Sequence, residues 1–485
     1  MKSLLNNSWV TAVVSLIVTT AVFTPSIWFP FLFVGIQRDF NATAVQTGWL
    51  GSVLWGASLM SSPIPAVLEE HLGVRIVAFI GTVTTPIAFY LSSLVNSIPS
   101  LYLTFGIMYG LSSCFVLHST LRMFYSIYNE RNGQRAVTLI LIGEFAAAAA
   151  GNGTIQSLLV RKGWRITMQY IAAMTAAVIP LPLIFYQNGR KSLPQFPTAG
   201  TKPPNSLSNA SFNQEVPPES YSNPSFESTT EDETVENNGG PPGVENCSSS
   251  GDAMKQGKIS ERLKSFISRT DTWLVSLSYF FTFSALSIYQ VNMVSHFESL
   301  ESLTLDDVWL IMTVTNVSDV VTRIFVMVTG GNFLYRPVYV IIGTNIVLSL
   351  VSFSYSVLVS VWPLVTISLC LGFARSTTVV MSWNMVVNLI GSQYADYVVT
   401  LVMYLQGFSY LVGTLPPGAI FDATGSYDLA FKIISLSFFM AAAILIFLAI
   451  RSSRRIREKR LSIEKESTET KTPRVSLVSY STNMT

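Results

Sequence analysis

Asp319 and Arg323 stand four residues apart inside Val308 to Val328, a run reading VWLIMTVTNVSDVVTRIFVMV that is otherwise apolar enough to cross a bilayer. Four residues are one helical turn, so carboxylate and guanidinium share a face, and Met312, Thr315, Asn316 and Thr322 extend it. A charge at the bilayer centre costs about 2.5 to 3.5 kcal/mol on insertion scales, so such groups turn toward a bundle interior or a wet path. Two uses fit the pair. The charges neutralise each other and fix helix packing, or the guanidinium grips an anion through two parallel hydrogen bonds while the carboxylate exchanges a proton.

Glu144 follows Gly143 and precedes Phe145, five alanines and Gly151-Asn152-Gly153. The small residues suit close helix approach, whereas a carboxylate at that depth must be protonated, paired or wet. Arg375 heads a polar ladder of Ser376, Thr377, Thr378, Ser382, Asn384 and Asn388. It either snorkels to an interface or faces a cavity. His118 and His296 are weaker signals, each a packing residue or a proton carrier. Trp28, Trp309, Trp383 and Tyr289 read first as packing or interface groups, and Trp383 beside Asn384 is also a candidate for a binding face.

These residues need a membrane bundle to hold them. Of the 485 residues 49% are hydrophobic and 12% charged, mean hydropathy is +0.44, and soluble proteins carry about 25% charged residues. The fold class is therefore all-α, a polytopic membrane protein. Twelve spans are expected at 9–35, 44–68, 74–96, 99–125, 135–160, 165–187, 271–297, 307–329, 336–358, 360–390, 395–421 and 428–450. They form an N-terminal six-helix half (1–187) and a C-terminal one (271–450). Between them 188–270 is rich in Ser, Asn, Pro, Glu and Gly and reads as a disordered cytoplasmic linker, and 451–485 reads as a cytoplasmic tail. Two such halves are the gross arrangement of the major facilitator fold, with substrate near the midplane between them.

Short loops place Arg75, Arg131, Arg135, Arg190, Arg451 and Arg454 at even-numbered exits, so both termini are expected in the cytoplasm, with Arg161, Lys162 and Arg165 against the pattern. The first apolar stretch is too long for a signal-peptide core and reads as a retained helix. The sequon at Asn41 faces outward in too short a loop to be modified. A net charge of +2 gives no case for nucleic acid, and Cys114, Cys247 and Cys370 give none for a disulfide framework. No phosphate loop, HExxH, paired-cysteine motif or GxSxG on a strand and helix is present, which argues against an enzyme, an ATP-driven pump or a metal or cofactor site.

Gln406 to Phe431, QGFSYLVGTLPPGAIFDATGSYDLAF, resembles the eleventh-helix pattern of the monocarboxylate transporter family of the major facilitator superfamily, through Pro416, Pro417, Asp422, Gly425 and Tyr427. Asp319 and Arg323 match that family's eighth-helix charge pair, and LGVRIVAF from Leu72 resembles its loop between helices two and three. The resemblance covers both halves. The family's opening signature is reduced to Asn6-Asn7-Ser8-Trp9, and its segment entering helix five has become YNERNGQR from Tyr128. Where its lactate carriers have a first-helix lysine, this chain has Ser26 or Ile27, depending on one gap.

The resemblance implies a secondary transporter of a small organic anion or monocarboxylate, proton-coupled and working by alternating access in the plasma membrane. It gives Arg323 to the substrate carboxylate and Asp319 to proton coupling; the residues themselves add Asn384, Trp383 and Ser26 as substrate-binding candidates, Glu144 as a second proton-coupling carboxylate and Arg375 as a further cavity charge. For some members it also implies a single-span immunoglobulin-type chaperone. The alternatives are a facilitator of aromatic amino acids or other neutral or zwitterionic solutes, and a non-transporting receptor or scaffold that has no need of four intramembrane charges. A channel lacks its ring of charges. Glu144 is expected within reach of the eighth helix, sharing Arg323 or a water network with Asp319.

Overall fold

Hydrocarbon cannot satisfy a backbone N–H or C=O, so an apolar run of twenty residues in a bilayer closes its own hydrogen bonds as a helix. The computed structural model describes residues 8–127, 130–185, 268–329, 336–390 and 395–469, and its described residues are helices joined by short turns, without a strand. The helices belong to one unit, Met1–Phe196 with Phe266–Thr485. The expected linker lies almost wholly outside the described residues, as does the end of the tail.

Among the described residues the helices fall, in chain order, at the twelve expected spans. The first is Ser8–Ile27 continued by Phe29–Asp39, and the second is Ala44–Met60 continued by Pro63–Leu72. The third is Val74–Leu94, and the fourth runs through Ile98–Leu101, a π-helical stretch Tyr102–Tyr109, and Gly110–Ile127. The fifth and sixth share Glu130–Ala176, which doubles back at Gly163 with φ 79° before Pro180–Phe185. The seventh is Thr270–Val291 with Met293–Glu298, and the eighth, ninth and tenth are Leu305–Thr329, Pro337–Tyr355 and Val361–Ile390. The eleventh is Ala395–Gly413 with Leu415–Thr424, and the twelfth, Asp428–Glu469, stays helical past its apolar part into the tail.

The breaks have local causes. Pro30 sits in the first turn after the interruption at Trp28, and Pro63 and Pro65 follow a bend of 47° in the second span. Proline removes a donor and crowds the preceding turn, which ends a helix unless the chain bends. Thr43 closes a capping box with Gln46 at the start of the second span.

The fifth span packs on the eighth and the second on the eleventh, so the two halves meet along two helix pairs. Glycine permits part of the packing around the site: a Cβ on Gly372 would meet the Thr315 carbonyl and Ser318, and one on Gly151 would meet the Trp28 ring. The tenth span thereby lies against the eighth, and the fifth against the first.

The ends of the bundle differ. At the end opposite the termini the halves are tied by Arg38 to Glu298 at 2.9 Å, by Gln156 Nε2 donating to the Leu305 carbonyl at 2.5 Å, and by Ser52 with Thr414. Asp422 accepts from the backbone N–H groups of Ala44 and Val45 at 2.6 and 2.9 Å. Its carboxylate thus caps the positive end of the second span from the other half. Gly425, at φ 73°, ends the eleventh helix just after it, and Tyr427 is buried with its hydroxyl against Ser295 at 3.0 Å. Of the residues carrying the sequence resemblance there, Asp422 latches the two halves together, while Gly425 and Tyr427 shape its own half. Arg165, a cation out of place in the loop pattern, is neutralised at this end by Asp39 at 3.2 Å.

Candidate functional site

The eighth span buries Val308, Ile311, Met312, Thr315, Asn316, Asp319, Thr322, Arg323 and Val326, a stripe of helical period. Val317, Val321, Ile324, Phe325 and Val328 face outward. Its polar face therefore points into the bundle.

Asp319 is wholly buried, but its first partner is not the arginine one turn away. Arg375, from the middle of the tenth span, donates to Asp319 Oδ2, while Arg323 Nη2 stands 4.0 Å from Oδ1. Arg375 is 5% exposed and does not snorkel to an interface. Ser376 donates to the Asp319 carbonyl at 3.3 Å, fixing the two helices at that level. Phe145 of the fifth span lies under both guanidinium groups, with Arg323 at 4.4 Å and Arg375 at 5.3 Å from its ring centre. A ring face holds a guanidinium without consuming its N–H groups. Arg323 Nε and Nη1, Arg375 Nε and Asp319 Oδ1 are buried and make no hydrogen bond.

Glu144 sits beside Phe145 and is 5% exposed. It lies within the electrostatic range of Arg323, yet no ion pair of 4.0 Å or less joins it to a described residue, and its Oε1 is buried without a partner. The first span fixes its backbone: Thr24 donates to the Glu144 carbonyl at 3.4 Å and Trp28 Nε1 to the Ala148 carbonyl at 3.3 Å. The site thus holds two guanidinium groups and two carboxyl groups, nearly closed to solvent. Three free donors and two free acceptors, Asp319 Oδ1 and Glu144 Oε1, would in such a place each cost about 1 to 3 kcal/mol unless something fills them.

Tyr410, on the eleventh span, is buried within the field of Arg323, Arg375 and Asp319 and packs on Trp55 at 5.6 Å between ring centres. Neither Phe145 nor Tyr410 stands out in the sequence, where one borders the alanine run and the other sits in the eleventh-helix motif. The described part of the site therefore draws on the second, fifth, eighth, tenth and eleventh spans.

The other expected residues are distributed differently. Ser26 is buried, donates to the Phe23 carbonyl at 2.7 Å in its own helix and bonds to neither arginine. Trp383 and Asn384 lie on the tenth helix, but their side chains are outside the described residues. His118 belongs to a second cluster, where the buried Glu69 carboxylate accepts from His118 Nδ1 at 3.1 Å, Ser119 Oγ at 2.7 Å and Arg122 Nη1 at 3.1 Å. That carboxylate is fully satisfied and ties the second span to the fourth. His296 is packed among Phe297, Tyr355, Tyr427 and Phe431.

A family model described as Major Facilitator Superfamily matches residues 11–414. Among curated relatives, monocarboxylate transporter 6 of Mus musculus is 29% identical over 133 residues, 27% of this chain and 28% of that protein. Monocarboxylate transporter 11 of Homo sapiens is 27% identical over 157 residues, 31% and 33% of the two chains. Monocarboxylate transporter 2 of Mus musculus is 33% identical over 99 residues, 20% of each. The matched segments span at most 33% of these relatives. Among solved structures, the nucleoside transporter NupG aligns with a TM-score of 0.61 at 13% identity, covering 90% of this chain and 99% of that one. The human organic anion transporter MFSD10 (TETRAN) aligns at 0.56 and 13% identity, covering 90% and 98%.

Proposed function

The chain belongs to the Major Facilitator Superfamily, and from that premise we propose that it is a secondary transporter carrying a small organic monocarboxylate together with a proton, by alternating access. The observation that carries the reading is the Arg323 guanidinium, buried on an aromatic ring with two nitrogens unengaged while Arg375 occupies Asp319. A guanidinium in that state binds a carboxylate through a two-pronged, charge-assisted contact, strengthened by the low dielectric around it. The resemblance to monocarboxylate transporters supports the same cargo.

Charge counting supplies the coupling. Arg323, Arg375 and Asp319 together carry +1. With Glu144 ionised the empty site is neutral, and with a proton on Glu144 and a carboxylate on Arg323 the loaded site is neutral again. A proton alone leaves +1, and an anion alone leaves −1. Net charge held away from water costs several kcal/mol per ion, so the rearrangement favours the empty and fully loaded forms. Anion and proton then travel together without the first-helix lysine of the lactate carriers. The latch at Asp422, the Arg38 to Glu298 pair and the contact of Ser52 with Thr414 close the end opposite the termini. With the termini cytoplasmic, as the loop cations indicate, this is an arrangement closed to the outside. The plasma membrane is the proposed location, 188–270 the proposed cytoplasmic linker between halves, and a single-span chaperone a proposed partner on the resemblance alone.

A second reading rests on the rings. Trp55, Tyr410 and Phe145 offer apolar faces, and an ionised Glu144 opposite Arg323 would suit a zwitterion with an aromatic side chain, taken up without a proton. Uptake by proteoliposomes of a panel of monocarboxylates and aromatic amino acids, at acidic and neutral external pH, separates the two. The proposal expects monocarboxylate uptake that rises toward tenfold per unit of acidification where proton loading limits the rate. Uptake confined to aromatic amino acids and indifferent to pH would replace it with the second reading.

A further inference from the structure

Away from the charge cluster, a groove of about 370 Å³ runs between the ninth and twelfth spans at the end carrying the termini. Tyr339, Ile342, Ile446, Ala449 and Ile450 form its apolar walls, and Ser453, Arg454 and Arg457 close it on the tail side. Tyr339, Ile446 and Ile450 are 46%, 42% and 50% exposed on the flank of the bundle.

The tail helix divides its cations between two faces. Arg451 and Arg455, one turn apart, turn toward Asp271 at the start of the seventh span and pair with it. Arg454 and Arg457, three residues apart and so on one face, turn toward the groove and make no ion pair among the described residues. An apolar slot thus ends, where the helix leaves the apolar part of its span, in two guanidinium groups that have no ion-pair partner among the described residues.

We infer that this groove holds one anionic phospholipid of the leaflet on the side of the termini. Its phosphate lies between Arg454 and Arg457, and an acyl chain lies along Ile342, Ile446, Ala449 and Ile450. Paired arginines match phosphate oxygens, and basic pockets between membrane helices are where anionic headgroups bind. Free phosphate would leave the hydrocarbon walls uncovered. A second copy of the chain in two-fold contact would bring like charges together at the same place. The lipid joins the ninth span to the twelfth and fixes the direction in which the tail helix leaves the membrane.

The test is titration of the purified full chain in detergent with phosphatidylserine and, separately, phosphatidylcholine, reading bound lipid by native mass spectrometry. Phosphatidylserine is expected to be retained over phosphatidylcholine. Arg454→Gln combined with Arg457→Gln should weaken it roughly 25-fold, from about 1 kcal/mol per cation and 1.4 kcal/mol per decade. Ile446→Trp, which fills the apolar slot and leaves every charge in place, should also lower retention, while Lys459→Gln with Arg460→Gln, the same charge removed further along the tail, should not. Equal loss in that control pair, equal retention of phosphatidylcholine, or displacement by inorganic phosphate would overturn the proposal. So would a dimer in detergent that Ile446→Trp dissociates.

Discussion

Uptake falls roughly 10- to 100-fold when Arg323 becomes lysine, at equal protein in the membrane. The charge is kept, so the loss measures geometry: an ammonium cannot offer two parallel N–H groups to a carboxylate, and hydrogen bonds to charged groups are worth about 1.5 to 3 kcal/mol each. Lysine also loses the planar stacking on Phe145 that holds Arg323 at 4.4 Å from the ring centre. Arg375 provides the contrast. Arg375→Gln leaves Asp319 buried without its nearest partner, and breaking such a pair destabilises by about 3 to 5 kcal/mol, so a fall in folded protein is expected there before any kinetic change. Surface quantification and kinetics together check the comparison. Normal kcat/KM in a correctly inserted Arg323→Lys transporter would remove Arg323 from the binding site.

Glu144→Gln is expected to separate exchange from net uptake. Glutamine imitates the protonated carboxyl permanently, so the site keeps +1 when empty and is neutral only with an anion bound. Substrate-for-substrate exchange should survive within a few-fold, because every crossing is made loaded. Net uptake, which needs the empty site to return, should fall by roughly tenfold or more, given several kcal/mol for a buried unpaired charge. Its pH dependence should flatten. A mutant with the wild-type pH profile would return Glu144 to a packing role beside the first span.

The spans were legible because hydropathy in a membrane protein is nearly one-dimensional: polar breaks fall where helices end. The eighth-span stripe was legible too, since Asp319 and Arg323 lie four residues apart on one helix. Which charge pairs with Asp319 was not, because Arg375 is 56 residues further along and only the packing of two helices through Gly372 decides the contact. The depth of Arg375 in its span was the one available signal. Glu144 marked itself as a carboxylate among alanines, but its position beside Arg323, in range without a direct ion pair, depends on how the fifth span packs against the eighth, with Phe145 stacked under Arg323. Glu69 escaped notice for the opposite reason. It sits near the end of an apolar run, where a carboxylate reads as interfacial, and only the fold brings His118, Ser119 and Arg122 around it. The eleventh-helix motif was read as a family likeness, and the structure gives it a physical task, since Asp422 caps a helix of the opposite half.

On the proposed mechanism one carboxylate and one proton cross together through a site that is neutral both empty and full. Proteoliposomes containing the purified full chain and a trapped pH-sensitive dye test it most directly, with radiolabelled monocarboxylate added outside and no initial pH gradient. The lumen is expected to acidify as the label enters, one proton per carboxylate, at a rate unchanged by a potassium–valinomycin membrane potential of either sign. Label that enters with no lumenal acidification beyond that of protein-free vesicles, or at a rate that follows the imposed potential, would contradict it.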